Sequence, residues 1–521
     1  MAFTSCAFVF FFIISVAAVR LFPQGGRAWV ILTANAVFCA FSGLAGCISI
    51  AFTCVSAWYF GLRIDRQAER RAILRAEEGL DDDARAKGLK RVGASKRRWL
   101  ILCVALNLVV LGAAKYTGFI LEGVGSVFSI PAPETHILFP LGISFYTFKA
   151  IAYITDVYRN PKPGAADKKL VQVAAFISFF PEVVQGPISR YGALENTFFN
   201  PRPLSPVEYA AFTRRILWGF FKKLVIADRL MPALFALPEI SGDGNGAYAA
   251  LAALVYAVTL YADFTAGIDI TIGIAGLMGV RLAENFNSPF FARSISDYWR
   301  RWHITMGTWF RDYLLYPLSA SRFMLALQRS CRGLFGAAAA RHIHAAAVTM
   351  TMWFCVGLWH GASWNFIVWG LVNGAVFVVT QELEPLYGRF HSRFGFTQRS
   401  GYAAFQVVRT FLMMAFIHTF DIYTSVGATV RAFLSIFSNF DIYAVAANGI
   451  AVLGLTVSDC VVAGSGTALM VATGIAVRRG AGKEPDLKTC LAHSVMLLVA
   501  TLVFGCYGIG YDAQQFIYNR F

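Results

Sequence analysis

Two histidines carry the chemistry this chain could do. His360 lies in Gly357-Leu358-Trp359-His360-Gly361-Ala362-Ser363-Trp364, within an uncharged stretch that begins near Ala345 and continues past Val379. An imidazole at bilayer depth is costly and tends to be functional. Near neutral pH it can take a proton from an alcohol while an ester or thioester carbonyl is attacked. Gly357 and Gly361 remove bulk beside it, so a backbone or a substrate chain can come close, and Trp359 and Trp364 are candidate aromatic walls. The bland alternative is a polar residue that ties two helices together by a hydrogen bond. His303 follows Tyr298-Trp299-Arg300-Arg301-Trp302 and precedes Ile304 to Tyr313, where aromatics, cations and carboxylates crowd together. Trp299, His303, Met306 and Phe310 recur at i, i+4, i+7 and i+11, which predicts one face of a helix walling a site. Trp299, Trp302 and Trp309 fit an interfacial belt equally well. Arg311-Asp312 reads as a local ion pair or as a clamp for a polar fragment.

Other polar residues sit in apolar surroundings and need partners. Asp263 and Asp269 are six residues apart and so on different helical faces; pairing with an Arg or a helix end explains Asp263 better than catalysis. Glu182 and Gln185 flank a predicted helix break that is a plausible pocket element. His342 and His344 form an HxH pair beside Arg341 without a third ligand, which fits a solvated loop rather than a metal site. His136, His391, His418 and His493 have no local constellation, and the glycines of Ile272 to Gly279 lack the Lys-Ser/Thr of a phosphate loop. The ten cysteines show no ligand spacing and read as small buried hydrophobes. No metal is expected.

The elements that position these groups are membrane helices. The 521 residues are 57% hydrophobic and 15% charged, with a mean hydropathy of +0.56, which excludes an array of soluble domains. Apolar runs, among them Ile137 to Ile154, Ala210 to Phe235, Ala247 to Met278 and Ala345 to Thr380, predict an all-α polytopic protein. Roughly ten to twelve transmembrane or re-entrant segments are expected. The apolar N-terminus lacks a signal-peptide pattern and reads as a retained first helix. A net charge of +16 follows positive-inside bias rather than nucleic-acid binding; the basic stretch Arg63 to Arg98 is expected to be a cytoplasmic loop. Asp421 to Tyr443 reads as an interfacial extracytoplasmic helix and Arg478 to Lys488 as a loop. Without long linkers or repeats, residues 1–521 are expected to form a single membrane domain.

Several motifs in fixed order carry a resemblance: Phe139-Pro140-Leu141-Gly142-Ile143-Ser144-Phe145-Tyr146, Tyr153 to Arg159, Gly186-Pro187-Ile188, Asp263-Phe264-Thr265, Glu284 to Phe290, Trp299 to Tyr313 and Gly357 to Gly361. The chain resembles the membrane-bound O-acyltransferase family, and within it the bacterial branch of the alginate O-acetylation and teichoic-acid D-alanylation membrane proteins. The resemblance implies a helical ring around a central tunnel, with donor and acceptor reaching it from opposite sides. It implies His360 as general base and His303 as the second catalytic residue. Substrate contacts are expected from Trp299, Arg300, Trp302 and Trp359, from Arg311 and Asp312, and from the amides Asn365 and Asn373. No cofactor is expected to be bound; an acyl-CoA or other acyl thioester would be the co-substrate. An extracytoplasmic acyltransferase- or esterase-like partner and a cell-surface polysaccharide acceptor are implied, at the inner membrane. The chain departs from the branch at Ala266-Gly267-Ile268, and at Asn373, where a second histidine is frequent; Asn cannot act as a base at neutral pH. A transporter with a polar path through His360, Asp263 and Glu182, or a lipid-modifying acyltransferase, are the alternatives.

Overall fold

The computed structural model describes residues 1–129, 140–242, 244–480, 486–508 and 511–512, with Gln24 placed by its backbone alone. The expectations for His136, for the first residues of the Ile137–Ile154 run and for residues 481–485 of the Arg478–Lys488 loop lie outside the described residues. All regular elements among them are helical. Among the described residues, seven helices are long and apolar enough to cross a membrane, and a pair bent by 105°, Val426–Ser438 with Ile442–Asn448, makes an eighth if taken as one span. Cys6–Leu21 and Arg27–Ala40 are shorter apolar helices. The chain is therefore a multi-pass membrane protein, and some of its apolar runs are divided between two helices. Ala345 to Thr380, for instance, ends one helix at His360 and begins another at Trp364.

The described residues form two compact units, Met1–Ser205 with Thr271–Ala283, and Pro206–Ile270 with Glu284–Phe521. In the first, the basic stretch expected as a loop is helical. Gly43–Ala76 and Asp82–Phe128 pack as a hairpin joined by a short turn. At 1.5 Å per residue the two helices run about 50 Å and about 70 Å, well beyond the ~30 Å hydrocarbon core. Arg, Lys, Glu, Ala and Leu are strong helix formers, and their charge had masked that propensity. Asp81 caps the second helix by accepting from the Ala84 N–H at 3.2 Å, with Asp82 and Asp83 in the first turn against the helix dipole. Asn160 to Gly164, which contains Pro161, Pro163 and Gly164, forms a turn, and the Asp65 carboxylate accepts from the Gly164 and Ala165 N–H groups. Glu182 sits in a short helix, Phe180–Val184. Its buried carboxylate receives Lys149 at 2.8 Å and the Ser189 hydroxyl, so the expected break is real and its carboxylate is neutralised. Asn35 accepts from the Phe180 N–H at 2.9 Å.

In the second unit, the Pro206–Phe221 helix widens into a π turn over Lys222–Ala227. The wider turn lets two successive lysines both face the protein interior. Lys223 meets Asp263 at 2.8 Å and Asp228 at 2.6 Å; Lys222 meets Asp269 at 2.6 Å. Asp263 is thus structurally paired, with a lysine rather than an arginine. Gly219 permits the close approach, since a Cβ there would lie 2.7 Å from the Ala266 carbonyl oxygen. His342 and His344 are not in a loop: both belong to the long Arg322–His360 helix, which kinks at Gly336. His342 pairs with Glu382 at 2.8 Å. The Asp421 to Tyr443 segment contains a helix only from Val426 and breaks after Ser438.

Candidate functional site

The helix predicted through Trp299, His303, Met306 and Phe310 is broken. Ile295–Trp299 ends, residues 300–302 turn, and Ile304–Phe310 begins with His303 as its N-cap. His303 has φ +45°, a left-handed conformation that costs a non-glycine residue energy and marks sites where the surroundings impose it. Asn285 imposes it. Its carbonyl accepts from the Ile304 N–H at 3.0 Å. Its side-chain Oδ1 accepts from the Thr305 N–H and hydroxyl at 3.0 and 2.8 Å. Both ends of the Asn285 amide face His303 Nδ1, the nitrogen at 3.1 Å and the oxygen at 3.3 Å; with Oδ1 already accepting twice from Thr305, the shorter contact is assigned as the N–H donating to Nδ1. With Nδ1 as acceptor, the His303 proton resides on Nε2. Full burial pushes the His303 pKa down to about 3, so the ring is a neutral N–H donor.

His360 is the last residue of its helix and is half-buried, not in mid-span. The Gly361 N–H closes the helix on the Gly357 carbonyl at 3.3 Å. The bulk removed by Gly357 and Gly361 makes room for protein: a Cβ on either would collide with Phe366, on its backbone or on its ring. Gly370 returns the contact, where a Cβ would collide with the Trp353 carbonyl oxygen and lie 3.0 Å from the Gly357 Cα. A glycine-lined hairpin thereby fixes where the imidazole emerges. Around it stand Trp359 and Trp369, with centroids 4.8 and 4.7 Å away and edges presented to the ring. Trp364, expected as a wall, is 65% exposed; Trp369 takes that place because the turn at 361–363 rotates the next helix.

The structure brings most of the aromatic candidates together and leaves the charged ones outside. Trp359 lies between the two histidines, 5.9 Å from the His303 ring. Trp299 packs on Trp369 at 5.8 Å and Trp353 at 4.9 Å. Trp302 is buried, stacked on Tyr298 at 5.5 Å, and Trp309 is buried as well, so neither belongs to an interfacial belt. The Arg300 side chain is 73% exposed and lies 3.8 Å from Asp297. Burial alone would raise the Asp297 pKa, but hydrogen bonds from Arg301 and the Arg293 N–H outweigh it and hold the carboxyl below its usual range. Arg311 and Asp312 form the local ion pair, at 2.9 Å. The Asn365 amide donates to the carbonyls of Phe420 and Tyr423 at 3.2 and 2.6 Å, which ties it to that loop. Asn373 is fully buried and donates to the Trp369 carbonyl at 2.9 Å.

Two residues escaped the sequence. Asn285 was visible only as part of Glu284 to Phe290, and nothing in its type announced a histidine partner. His418 is buried, with Nε2 3.2 Å from the Tyr298 hydroxyl and Nδ1 3.3 Å from Asp421, which also receives Tyr256 at 3.2 Å. Its ring lies 5.9 Å from Trp369 and 5.5 Å from Trp302. It thus packs against Trp299 as well as Trp302 and Trp369. The spacing His418-x-x-Asp421 was its one signal.

His303 and His360 thus stand at breaks between helices of a membrane protein, one fully buried and one half-buried among tryptophans. The family model described as MBOAT, membrane-bound O-acyltransferase family, matches residues 165–342, a span that includes His303 and stops short of His360. A probable alginate O-acetylase AlgI of Azotobacter vinelandii is 35% identical over 393 residues, covering 74% of this chain and 69% of that protein. A peptidoglycan O-acetyltransferase of Helicobacter pylori is 31% identical, covering 57% of this chain and 58% of that protein. A teichoic acid D-alanyltransferase of Bacillus subtilis is 28% identical, covering 47% and 59%. The chain belongs to the membrane-bound O-acyltransferase family. It is an O-acyltransferase, which sets the transporter alternative aside.

Proposed function

We propose that this enzyme moves an acetyl or other short acyl group from a cytoplasmic thioester, such as an acyl-CoA, toward hydroxyls of an extracytoplasmic polysaccharide. The observation that carries the reading is the pairing of His303, fixed as a donor, with His360 across Trp359. His360 takes the proton of the attacking hydroxyl as its oxygen bonds to the thioester carbonyl. The His303 Nε2–H donates to the carbonyl oxygen as negative charge grows there. The carbon–sulfur bond then breaks, and the thiolate leaves with the proton held by His360. Trp299, Trp302 and Trp359 shield this step from water, while Arg300, Arg311 and Asp312 bind polar parts of substrate at the rim. Asn373 extends the buried polar lining.

The names of the relatives support a polymer acceptor, and the family resemblance supports a tunnel open to both membrane faces. We place the chain in the inner membrane as one functional unit over residues 1–521, handing the acyl group to an extracytoplasmic acyltransferase- or esterase-like partner. The test is mass spectrometry of surface glycans and lipids from cells with wild-type protein, with His360→Ala and without the gene. Acylated glycan should vanish in both deficient strains while the variant remains folded in the membrane. Full glycan acylation with His360→Ala overturns the role of His360, and an acyl change confined to lipids overturns the acceptor class.

A further inference from the structure

Away from the two histidines, the second unit holds two adjoining cavities, each of about 220 Å³, which share Tyr261, Ser288, Met470 and Gly474 in their walls. One is polar, lined by Arg215, Lys222, Asp269, Glu284 and Asn287. The other is apolar, lined by Val258, Phe290, Phe411 and Val471. Together they make a groove with a charged end and a hydrocarbon end, the shape of an amphiphile.

The charged end is built and still has capacity. Arg215 gives its Nε–H to Asp269 at 2.9 Å and one N–H from each terminal nitrogen to Glu284 at 2.6 Å. Lys222 donates to Thr265 at 2.7 Å and to Asp269 at 2.6 Å. A guanidinium has five N–H bonds and an ammonium three, so both cations retain donors. Glu284, with 60% of its side chain exposed, keeps acceptor capacity on the rim. A purely anionic head would meet both carboxylates, and a purely cationic one both cations. A head carrying both charges, with N–H bonds on its cationic part, is complemented at each.

We propose that this groove binds a membrane phospholipid with an ethanolamine head, its phosphate at Arg215 and Lys222, its ammonium at Glu284, and one acyl chain along Phe290, Phe411 and Val471. Choline offers no N–H to Glu284, and glycerol no positive charge.

The test is native mass spectrometry of the full-length detergent-purified protein after exchange with vesicles of phosphatidylethanolamine, phosphatidylcholine or phosphatidylglycerol. The wild type should retain phosphatidylethanolamine about tenfold more tightly than either other lipid. Gly474 lines both cavities, and a Cβ there meets Phe291 at 3.5 Å and Ser288 at 3.7 Å, ordinary contacts. Gly474→Leu therefore enters both cavities from the Val457–Arg478 helix, which carries none of the four ion-paired residues, and should abolish retention. Glu284→Gln should erase the preference over phosphatidylglycerol. Equal retention of the three lipids by the wild type, or unchanged phosphatidylethanolamine retention by a folded Gly474→Leu protein, overturns the assignment. Because the readout is binding, its failure leaves the proposed acyl transfer intact.

Discussion

The turn that carries His303 and the helix end that carries His360 hold the same side chain in opposite ways. His303 is fully buried, in a left-handed conformation, and its tautomer is set by an amide that is itself used up by Thr305. His360 is half-buried and framed by aromatic edges, with its position set by glycine contacts between two helices. The first arrangement suits a group that must not change its protonation state. The second suits one that must. Enclosure and hydrogen bonding, more than residue type, separate the proposed donor from the proposed base.

Glutamine substitution gives the largest contrast. Glutamine keeps an N–H donor but cannot take a proton. His360→Gln should lose about 10²–10⁴-fold in kcat, while His303→Gln retains a measurable share of turnover in the same assay. Equal losses would merge the two roles. Removing the amide that fixes the donor should come next: Asn285→Ala is expected to lower kcat by about 10²–10³-fold, the scale of a lost oxyanion donor, with KM changed less. A rise in KM at constant kcat would make Asn285 a binding residue instead. The pH profile sharpens the comparison further. A pKa of about 3 keeps His303 neutral throughout pH 5–8, so activity lost on acidification reflects protonation of the base. That acidic limb should persist in His303→Gln; its disappearance would assign it to His303. Smallest in its effect on the chemistry, Gly357→Ala forces a methyl group against Phe366 and should cost about 1–3 kcal/mol of stability, as overpacking does. Thermal unfolding of the purified variant reads that directly.

The all-helical membrane fold was legible because its apolar runs are long. The break before His303 was not. Arg300 to Trp302 contain neither glycine nor proline, and the helical spacing of Trp299, His303, Met306 and Phe310 is intact on paper. Tertiary hydrogen bonding from Asn285, 18 residues earlier, supports the left-handed turn. Trp364 and Trp369 were exchanged for a related reason: a three-residue turn resets helical phase, and residue spacing does not carry across it. The basic hairpin shows the reverse fault, a local preference that was readable in Ala, Arg, Lys and Leu yet overshadowed by charge.

That hairpin has a practical use. Its tip, Glu77 to Leu80, is solvent-exposed apart from half-buried Leu80 and tethered at both ends by helices that outrun the hydrocarbon layer. Exposed loop tips accept insertions with little disturbance. A fluorescent domain or protease site spliced there would stand clear of the bilayer on two stiff struts, giving a fixed mast from which the protein's orientation can be read in intact cells.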